Sequence, residues 1–549
     1  MKRRLVAALV LMCMLTGSVS VYAGYERVDW NRTNKVYKSK DLKTMEKFVR
    51  KDETNIIDQT IDVDVVVDED TVVRDINNAY MLGVGHETGF MSRKNFFKDG
   101  TLELAPGYID LAERMYDLPI VRWGGSSSNW DAWLNTLGEM KDRTYATTNE
   151  NIGEYFMGRA SGILGGDDSA NPIGPIEYYK MNQAINPNIK YIITMPWYKY
   201  EKEDLVNFVR FFLDKKGESE WGDLRASLGI EEPVNVECFE LGNELYITGI
   251  RGYNNERTAK QYIKDAREVV AEVKKYHPEA KFAVPLRGNH QAEEDPSTYN
   301  NWNIWMAEGL GDIIDYACPH VYYCGYEPSY FMFWFYDQYR AFTDALGENC
   351  NIKFLVTEHA KWQSNNDSKE FSTHSLAGVL AVSQMLNQFY ETPFIEGATY
   401  YGWYNSTWAF AKYDRGDWLL MGLPQMMGVY LDNLGDKLVL SDLKSDTEYT
   451  NANSTQRRLT GIVMKDKEDL VVVFTNRLPY VNFKANFDFN NEYTLVEETV
   501  FTAPNIYSFV SSKDTEDVFT KTVTEKNVEN FSEYTIPNKS LVVLRLRKQ

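Results

Sequence analysis

Cysteine and histidine are scarce in this chain, at five and six of 549 residues. No Cys-x-x-Cys pair occurs, so no zinc site of that kind is indicated. The His86-Glu87 pair lacks the second histidine of a zinc helix motif, which removes the other common metal spacing. Basic clusters are missing as well. With a formal net charge of −20, the chain lacks the cationic face that binds a phosphate backbone, and nucleic acid is not an expected partner. No apolar run, the N-terminal one included, is long enough to cross a bilayer.

The N-terminus carries its own pattern. Met1-Lys2-Arg3-Arg4 is basic, Leu5 to Leu15 is apolar, and small and polar residues lead to Val21-Tyr22-Ala23. This is the layout of a secretory signal peptide over residues 1–23, cleaved after Ala23. It predicts a secreted, extracellular protein with no stable membrane insertion. Removing Lys2, Arg3 and Arg4 takes the charge to about −23. Four cysteines remain: Cys238, Cys318, Cys324 and Cys350. Export permits a disulfide, and Cys318 and Cys324 are the closest pair, yet mostly free, buried thiols are expected.

Aromatic residues are what the chain has in abundance, with 36 Tyr, 27 Phe and 13 Trp. A large core takes most of them. Exposed rings of this kind are surfaces on which sugar rings stack.

Residues 24–75 are polar at first. From Ile57 to Val73 the apolar residues alternate (Ile61, Val63, Val65, Val67), as in a half-buried antiparallel strand pair. No partner is near in sequence, so the segment is expected to fold back onto a later domain. From Ala79 short apolar strands alternate with helical periods. The strands end near His86, Trp123, Met195, Phe239, Leu286, Tyr322, Glu358 and Trp403, and a helix follows each. Eight such units predict an α/β fold, a (β/α)8 TIM barrel over residues 76–435. Residues 126–171 form a long insertion after the second strand. Residues 436–549 turn to strands (Ile462–Met464, Leu470–Phe474, Tyr493–Val496, Ser540–Leu546) and read as an all-β sandwich that the N-terminal segment completes.

In such a barrel the active site lies at the C-terminal ends of the strands. Those ends carry His86 and Glu87, Arg122-Trp123-Gly124-Gly125, Trp197, Asn243 and Glu244, His320, Tyr322 and Tyr323, Glu358 and His359, and Trp403. An acid where a buried strand meets a loop is costly unless it is paired. Glu244 and Glu358 are two such acids, on the fourth and seventh strands. Facing carboxylates allow retaining glycoside hydrolysis, one as acid/base and one as nucleophile, with no cofactor. Arg122 and Tyr322 are candidate donors to the nucleophile, and Asn243 is placed to reach a sugar 2-hydroxyl. Glu240 shares strand parity with Glu244 and reads as a buried ion-pair partner. Glu237 reads as helix-facing or as an irregularity of the strand. Trp130, Trp133, Trp362 and Trp408 are stacking platforms or local core. His86 and His359 lack metal spacing and read equally as polar neighbours of an acid.

Asn-Glu ending the fourth strand, Glu ending the seventh and Trp ending the eighth resemble the clan A retaining glycoside hydrolases. Val121-Arg122-Trp123-Gly124-Gly125, Gly83-Val84-Gly85-His86-Glu87 and the closing Pro537–Leu544 stretch are similar to the α-L-arabinofuranosidases of that clan. The first two of these stretches resemble the heparanase-like β-glucuronidases more loosely. The resemblance implies Glu244 as acid/base and Glu358 as nucleophile. It implies that Asn243 meets the 2-hydroxyl and that Glu87, Arg122, His320, Tyr322 and Trp403 line the subsite, with a carbohydrate as the partner. The chain departs from the family where Trp123 replaces the proline after the arginine, and where Thr357-Glu358-His359-Ala360 replaces the usual nucleophile surroundings. Those departures bear on sugar identity. An endo-acting xylanase or glucanase, a β-glucuronidase, and a non-catalytic sugar-binding barrel are the alternatives. An open cleft lined by Trp130, Trp133 and Trp197 would favour endo action.

Overall fold

The computed structural model describes residues 59–549 apart from 77–79, 88–90, 92, 132, 139–172, 247–255, 288–295, 324–331, 362–372, 405–407, 415, 445–447, 452–453 and 458. The leader-like segment, Cys324, Trp362 and most of the insertion therefore lie outside the described residues.

The first strand, β1 (Gln59–Asp75), buries Ile61, Val63, Val65 and Val67 and exposes Asp62 and Asp64 between them, the alternation of a one-sided sheet. The expected strand pair is a single long strand. Its register against β12 (Lys437–Lys444) slips between Asp68 and Val72 and again between Val72 and Arg74. The acidic stretch there makes a bulge that bends the strand where a hairpin was expected.

Eight parallel strands then close a barrel. They are β2 (Gly83–His86), β3 (Ile120–Trp123), β4 (Lys190–Thr194), β5 (Val236–Glu240), β6 (Phe282–Leu286), β7 (Tyr316–Tyr323), β8 (Lys353–Lys361) and β9 (Ile395–Tyr401). Nearly every residue in them is buried, as strands covered on both faces require. Ile120, Ile192, Cys238, Ala283, Cys318 and Leu355 fill the interior. Glu237 lies at the floor, where it accepts from Lys190 (2.7 Å), Lys281 (2.7 Å) and Tyr316 (2.7 Å). The β4–β5 register slips just before Cys238, which turns Glu237 inward beside its neighbour. Cys238, Cys318 and Cys350 are free thiols.

Outer helices cover the barrel. One of them, Lys202–Leu213, buries Leu205, Phe208, Val209 and Phe212, the 3–4 spacing of a single apolar face. A further helix, Glu220–Ser227, is capped by Ser219, whose side chain accepts from Trp221 and Gly222 N–H. Sequence periodicity missed this helix because its faces are not segregated into apolar and polar.

Two two-stranded sheets, β10 (Ala411–Asp414) with β11 (Asp417–Leu420) and β13 (Glu448–Asn451) with β14 (Ser454–Arg457), are separate from a nine-stranded sheet. The latter adds β15 (Leu459–Asp466), β16 (Asp469–Asn476), β17 (Val481–Asp488), β18 (Tyr493–Thr502), β19 (Thr520–Val528), β20 (Glu533–Ile536) and β21 (Ser540–Lys548) to β1 and β12, in the order β19-β18-β21-β16-β15-β12-β1-β17-β20. β1 sits between β12, antiparallel, and β17, parallel. The loop between β19 and β20 packs back on β18, where Phe531 N–H donates to the Tyr493 carbonyl at 2.8 Å. One face of the sheet encloses the small core of Val63, Val472, Phe483 and Leu544. The other packs on the helix Leu376–Glu391, which is buried on both sides between sheet and barrel. Polar contacts cross that interface: Ser383 Oγ lies 2.6 Å from Thr475 Oγ1, and Asn387 donates to Thr460 Oγ1 at 3.0 Å. This is a TIM-type barrel with an all-β domain completed by the N-terminal strand.

Candidate active site

The site begins with the glycines after β3. A Cβ on Gly124 would stand 2.3 Å from the Arg122 guanidinium carbon. A Cβ on Gly125, whose φ is +114°, would stand 2.6 Å from the Glu87 carboxyl carbon. The Gly124-Gly125 pair leaves the space in which an arginine and a carboxylate fold back over the barrel mouth.

Arg122 donates from all three guanidinium nitrogens. Nε donates to both Glu240 oxygens at 3.0 Å, and Nη2 to Glu240 Oε2 at 2.7 Å and to Asn243 Oδ1 at 2.6 Å. Nη1 donates to Glu358 Oε1 at 2.8 Å. The guanidinium is buried, and the two carboxylates raise its already high pKa against the burial that would lower it. Burial pushes the Glu240 carboxyl up, but Arg122 and the Thr194 hydroxyl (2.5 Å) hold it below the usual carboxylate range. Glu240 is thus a buried ion-pair partner, as expected.

Glu358 takes its second donor from Tyr322, whose hydroxyl stands 2.5 Å from Oε2. The aim of Glu358 comes from a bulge. Ala317 pairs with Phe354 and His320 with Glu358, so β8 spends one residue more than β7 between those pairs. Two consecutive side chains, Thr357 and Glu358, then both face β7. His320 Nε2 lies 3.2 Å from Thr357 Oγ1, and His320 Nδ1 lies 3.0 Å from Glu244 Oε1 and 3.6 Å from Glu358 Oε2. Burial alone would lower the imidazole pKa, but Glu358 and Glu244 raise it above its ordinary value.

Glu244 stands on the turn after β5. Gly242 has φ +92° and Glu244 φ +44°, a left-handed conformation that costs a glutamate energy. Asn129 holds this turn by a reciprocal pair: its Nδ2 donates to the Asn243 carbonyl at 2.6 Å, and its Oδ1 accepts from Asn243 N–H at 2.8 Å. Tyr246 donates to Glu244 at 3.2 Å. With Oδ1 taken by Arg122, the buried Nδ2 of Asn243 has no protein partner among the described residues.

Glu87 is buried and accepts from Ser127 N–H at 2.7 Å and from Tyr401. Burial raises its carboxyl to about 7, against those two donors and with the Glu358 charge. Trp403 lies just past β9, stacked on His86 at 5.0 Å. Burial lowers the His86 imidazole to about 3, so it stays neutral. Trp408 sits 5.4 Å from the Tyr322 ring at the rim. Trp197 packs edge-on against Tyr262 and is nearly enclosed. Trp133 belongs to the core beside Phe208 and Phe211 rather than to a platform. His359 packs among Tyr323, Phe389 and Tyr400, away from the mouth.

Glu87, Arg122, Asn243, Glu244, His320, Tyr322 and Glu358 therefore meet in one network of contacts, with Trp403 behind His86 and Trp197 outside it. Strand-end reading missed Tyr401, Ser127, Thr194, Asn129 and Tyr246. Tyr401 shares strand parity with Trp403 and was findable; the other four act through turns or neighbouring strands that sequence spacing does not align.

Ligating atoms of Glu244, His320 and Glu358 all lie within 4.8 Å of one another. Such a trio can hold a cation, but Arg122 already delivers a positive charge to Glu358. The donor set fits a charge-compensated carboxylate pair better than a metal. A spacing of roughly 5–5.5 Å between carboxyl groups is that of retaining glycosidases.

Residues 117–346 match the family model described as the Alpha-L-arabinofuranosidase 1 domain. An intracellular exo-alpha-(1->5)-L-arabinofuranosidase of Acetivibrio thermocellus is 23% identical over 217 residues, 39% of this chain and 38% of the relative. The corresponding enzyme 1 of Bacillus subtilis is 23% identical over 207 residues, 38% of this chain and 37% of the relative. The chain thus matches well under half the length of these curated relatives. Among solved structures, the α-L-arabinofuranosidase of Thermotoga maritima superposes with a TM-score of 0.70 at 17% identity, over 89% of this chain and 100% of that one. A family 51 arabinofuranosidase of Xanthomonas axonopodis pv. citri gives 0.70 at 15%, with the same coverage. The resemblance to clan A glycoside hydrolases of arabinofuranosidase type holds in sequence and in fold. The expectation of a secreted protein does not. Three curated relatives, that of Halalkalibacterium halodurans included, are named intracellular. The export reading rested on the composition of a short N-terminal stretch, and short apolar runs with basic flanks are not confined to leaders.

Proposed function

We propose that the chain is a retaining glycoside hydrolase that releases a terminal α-L-arabinofuranosyl residue, with Glu358 as nucleophile and Glu244 as acid/base. The observation that carries this reading is the approach of the two carboxylates to within 4.8 Å, under one arginine and one tyrosine that both grip Glu358. Glu358 attacks the anomeric carbon while Glu244 gives its proton to the leaving oxygen. The sugar is then an ester of Glu358. Glu244, now ionised, takes a proton from water, and that water attacks the same carbon and frees Glu358.

The surrounding groups fit those steps. Arg122 and Tyr322 both donate to Glu358 and fix its angle. His320, between both acids, compensates their charge. Asn243 Nδ2 is free to meet the 2-hydroxyl, a contact that strengthens in the transition state. Glu87, with a pKa near neutrality, can donate to or accept from another hydroxyl. Trp403 backs the pocket, with Trp197 farther out. The arabinofuranosyl choice rests on the names of the matched relatives, which also supports exo action.

The test is hydrolysis of an aryl α-L-arabinofuranoside within a panel of aryl glycosides and plant polysaccharides. Glu358→Ala is expected to abolish turnover, and added azide to yield the β-glycosyl azide, the inverted product, because the anion enters from the vacated face. A Glu358→Ala enzyme that still hydrolyses the glycoside refutes the assignment. Turnover of another sugar alone refutes the arabinofuranosyl part.

A further inference from the structure

Glu240 has no place in the double displacement, yet it is the most completely bonded acid of the site. It is buried, takes three contacts from the Arg122 fork, and a fourth from Thr194 at 2.5 Å. A buried salt bridge is a poor way to gain stability, because desolvating the charges costs about what their attraction returns. The same guanidinium also holds Glu358 at 2.8 Å and Asn243 at 2.6 Å. One positive charge thus serves two carboxylates. If Glu358 were its only partner, that charge would fall wholly on the nucleophile.

We propose that Glu240 is a positioning and charge-balancing residue for the reaction: it holds the Arg122 fork in register and takes up part of its charge, so that Arg122 orients Glu358 without quenching its nucleophilicity. The inference rests on Glu358 being the nucleophile. An unbalanced arginine would stabilise the carboxylate too well and make it a weaker nucleophile and a better leaving group. With Glu240 present, the cluster keeps excess negative charge. That charge holds the His320 proton and favours the protonated form of a neighbouring acid.

The groups that face Glu358 are Arg122 from β3, His320 and Tyr322 from β7, and Glu244 from the turn after β5; Glu87 and Tyr401 act on the same space from β2 and β9. Glu240 itself faces Arg122, Thr194 and, at longer range, His320 and the buried thiols of Cys238 and Cys318. Glu240→Gln keeps the side-chain length and an acceptor for Arg122 while removing one charge.

The experiment compares wild type and Glu240→Gln on an aryl α-L-arabinofuranoside with a good leaving group, across pH. In Glu240→Gln the acidic limb of kcat/KM is expected to move down by about one unit. kcat/KM should fall about tenfold, with kcat falling less, because breakdown of the glycosyl ester becomes easier as its formation becomes harder. A purely structural role lowers kcat and kcat/KM together and leaves the limb in place, and that result overturns the proposal. A second readout needs no turnover: 13C NMR titration of carboxyl-labelled glutamate, with the Glu358 signal assigned by its loss in Glu358→Gln. Its midpoint is expected to move down in Glu240→Gln, and an unmoved midpoint overturns the charge-balancing role. If wild type is inert on every glycoside while the midpoint still moves, the glycosidase reading fails and the Glu240–Arg122–Glu358 coupling stands.

Discussion

Arg122 Nη1 lies 2.8 Å from Glu358 Oε1, which joins the second barrel strand to the seventh across the mouth. Both side chains are almost wholly shielded from solvent. A buried charge pair of this kind is lost at high cost if one partner is removed, because the other is left uncompensated.

Arg122→Lys therefore tests the fork. Lysine supplies one point charge where arginine supplies donors to Glu240, Glu358 and Asn243 together. Activity is expected to fall by at least about 10²-fold, the scale of a misplaced reacting group. Circular dichroism and kcat/KM on one preparation separate misfolding from misplacement.

Gly124→Ala and Gly125→Ala should act on the same geometry from the backbone. The first drives a methyl into the Arg122 guanidinium; the second meets Glu87 and also forces alanine to φ +114°. Both are expected to lower kcat/KM by about 10²-fold while the barrel still folds. The Gly125 variant should also lose about 1–3 kcal/mol of stability in urea unfolding.

Tyr322→Phe removes one donor to Glu358 and no bulk. The loss of a hydrogen bond to a charged group, about 1.5–3 kcal/mol, corresponds to about 10–100-fold in kcat/KM. Retention of full activity would show that Arg122 alone is enough to hold Glu358.

Glu244→Ala should separate substrates by leaving group. Aryl glycosides that leave without protonation should still form the glycosyl ester, and substrates with poor leaving groups should not. Azide should then give the glycosyl azide of retained configuration, opposite to the Glu358→Ala product. The same configuration from both variants would overturn the two assigned roles.

Stability should depend on pH through the buried acids in two opposite senses. Burial raises the Glu87 carboxyl to about 7 and that of Asp131 to about 8. Between the ordinary carboxylate pKa and these values, the folded state binds more protons than the unfolded chain, so their contribution is present at acid pH and lost as pH rises to about 8. Glu240 runs the other way: its lowered pKa contributes stability above the ordinary carboxylate value and loses it as pH falls further. Asp131→Asn is expected to raise Tm at pH 8 and to change it little at pH 4. Thermal unfolding across pH measures both, and equal shifts at the two pH values would contradict the assignment to Asp131.

Much of the fold was legible in the sequence. Eight short apolar runs, each followed by a helical period, fix the barrel because a parallel strand buried on both faces has a composition unlike that of a turn or a surface helix. Glu244, Glu358, Arg122, His320 and Tyr322 were found because each lies in the C-terminal half of a barrel strand or just beyond it, and in this fold those ends converge. The ion pairing of Glu240 was expected as well, although Glu244, on its left-handed turn beyond the strand, does not share its parity. The sequence by itself also determined which strand-end carboxylates exist to be paired.

What it could not determine is which groups share an atom. The bulge in β8 that turns Thr357 and Glu358 together toward His320, and the Arg122 fork that divides its charge between Glu240 and Glu358, depend on register between strands far apart in the chain. The left-handed turn under Glu244 depends in the same way on Asn129, more than a hundred residues away in the chain. Tertiary structure also decided that Trp133 and His359 are core and that β1 is one bent strand. Periodicity is a local property of a chain; register, burial and the sharing of a charge arise only when distant segments are brought together.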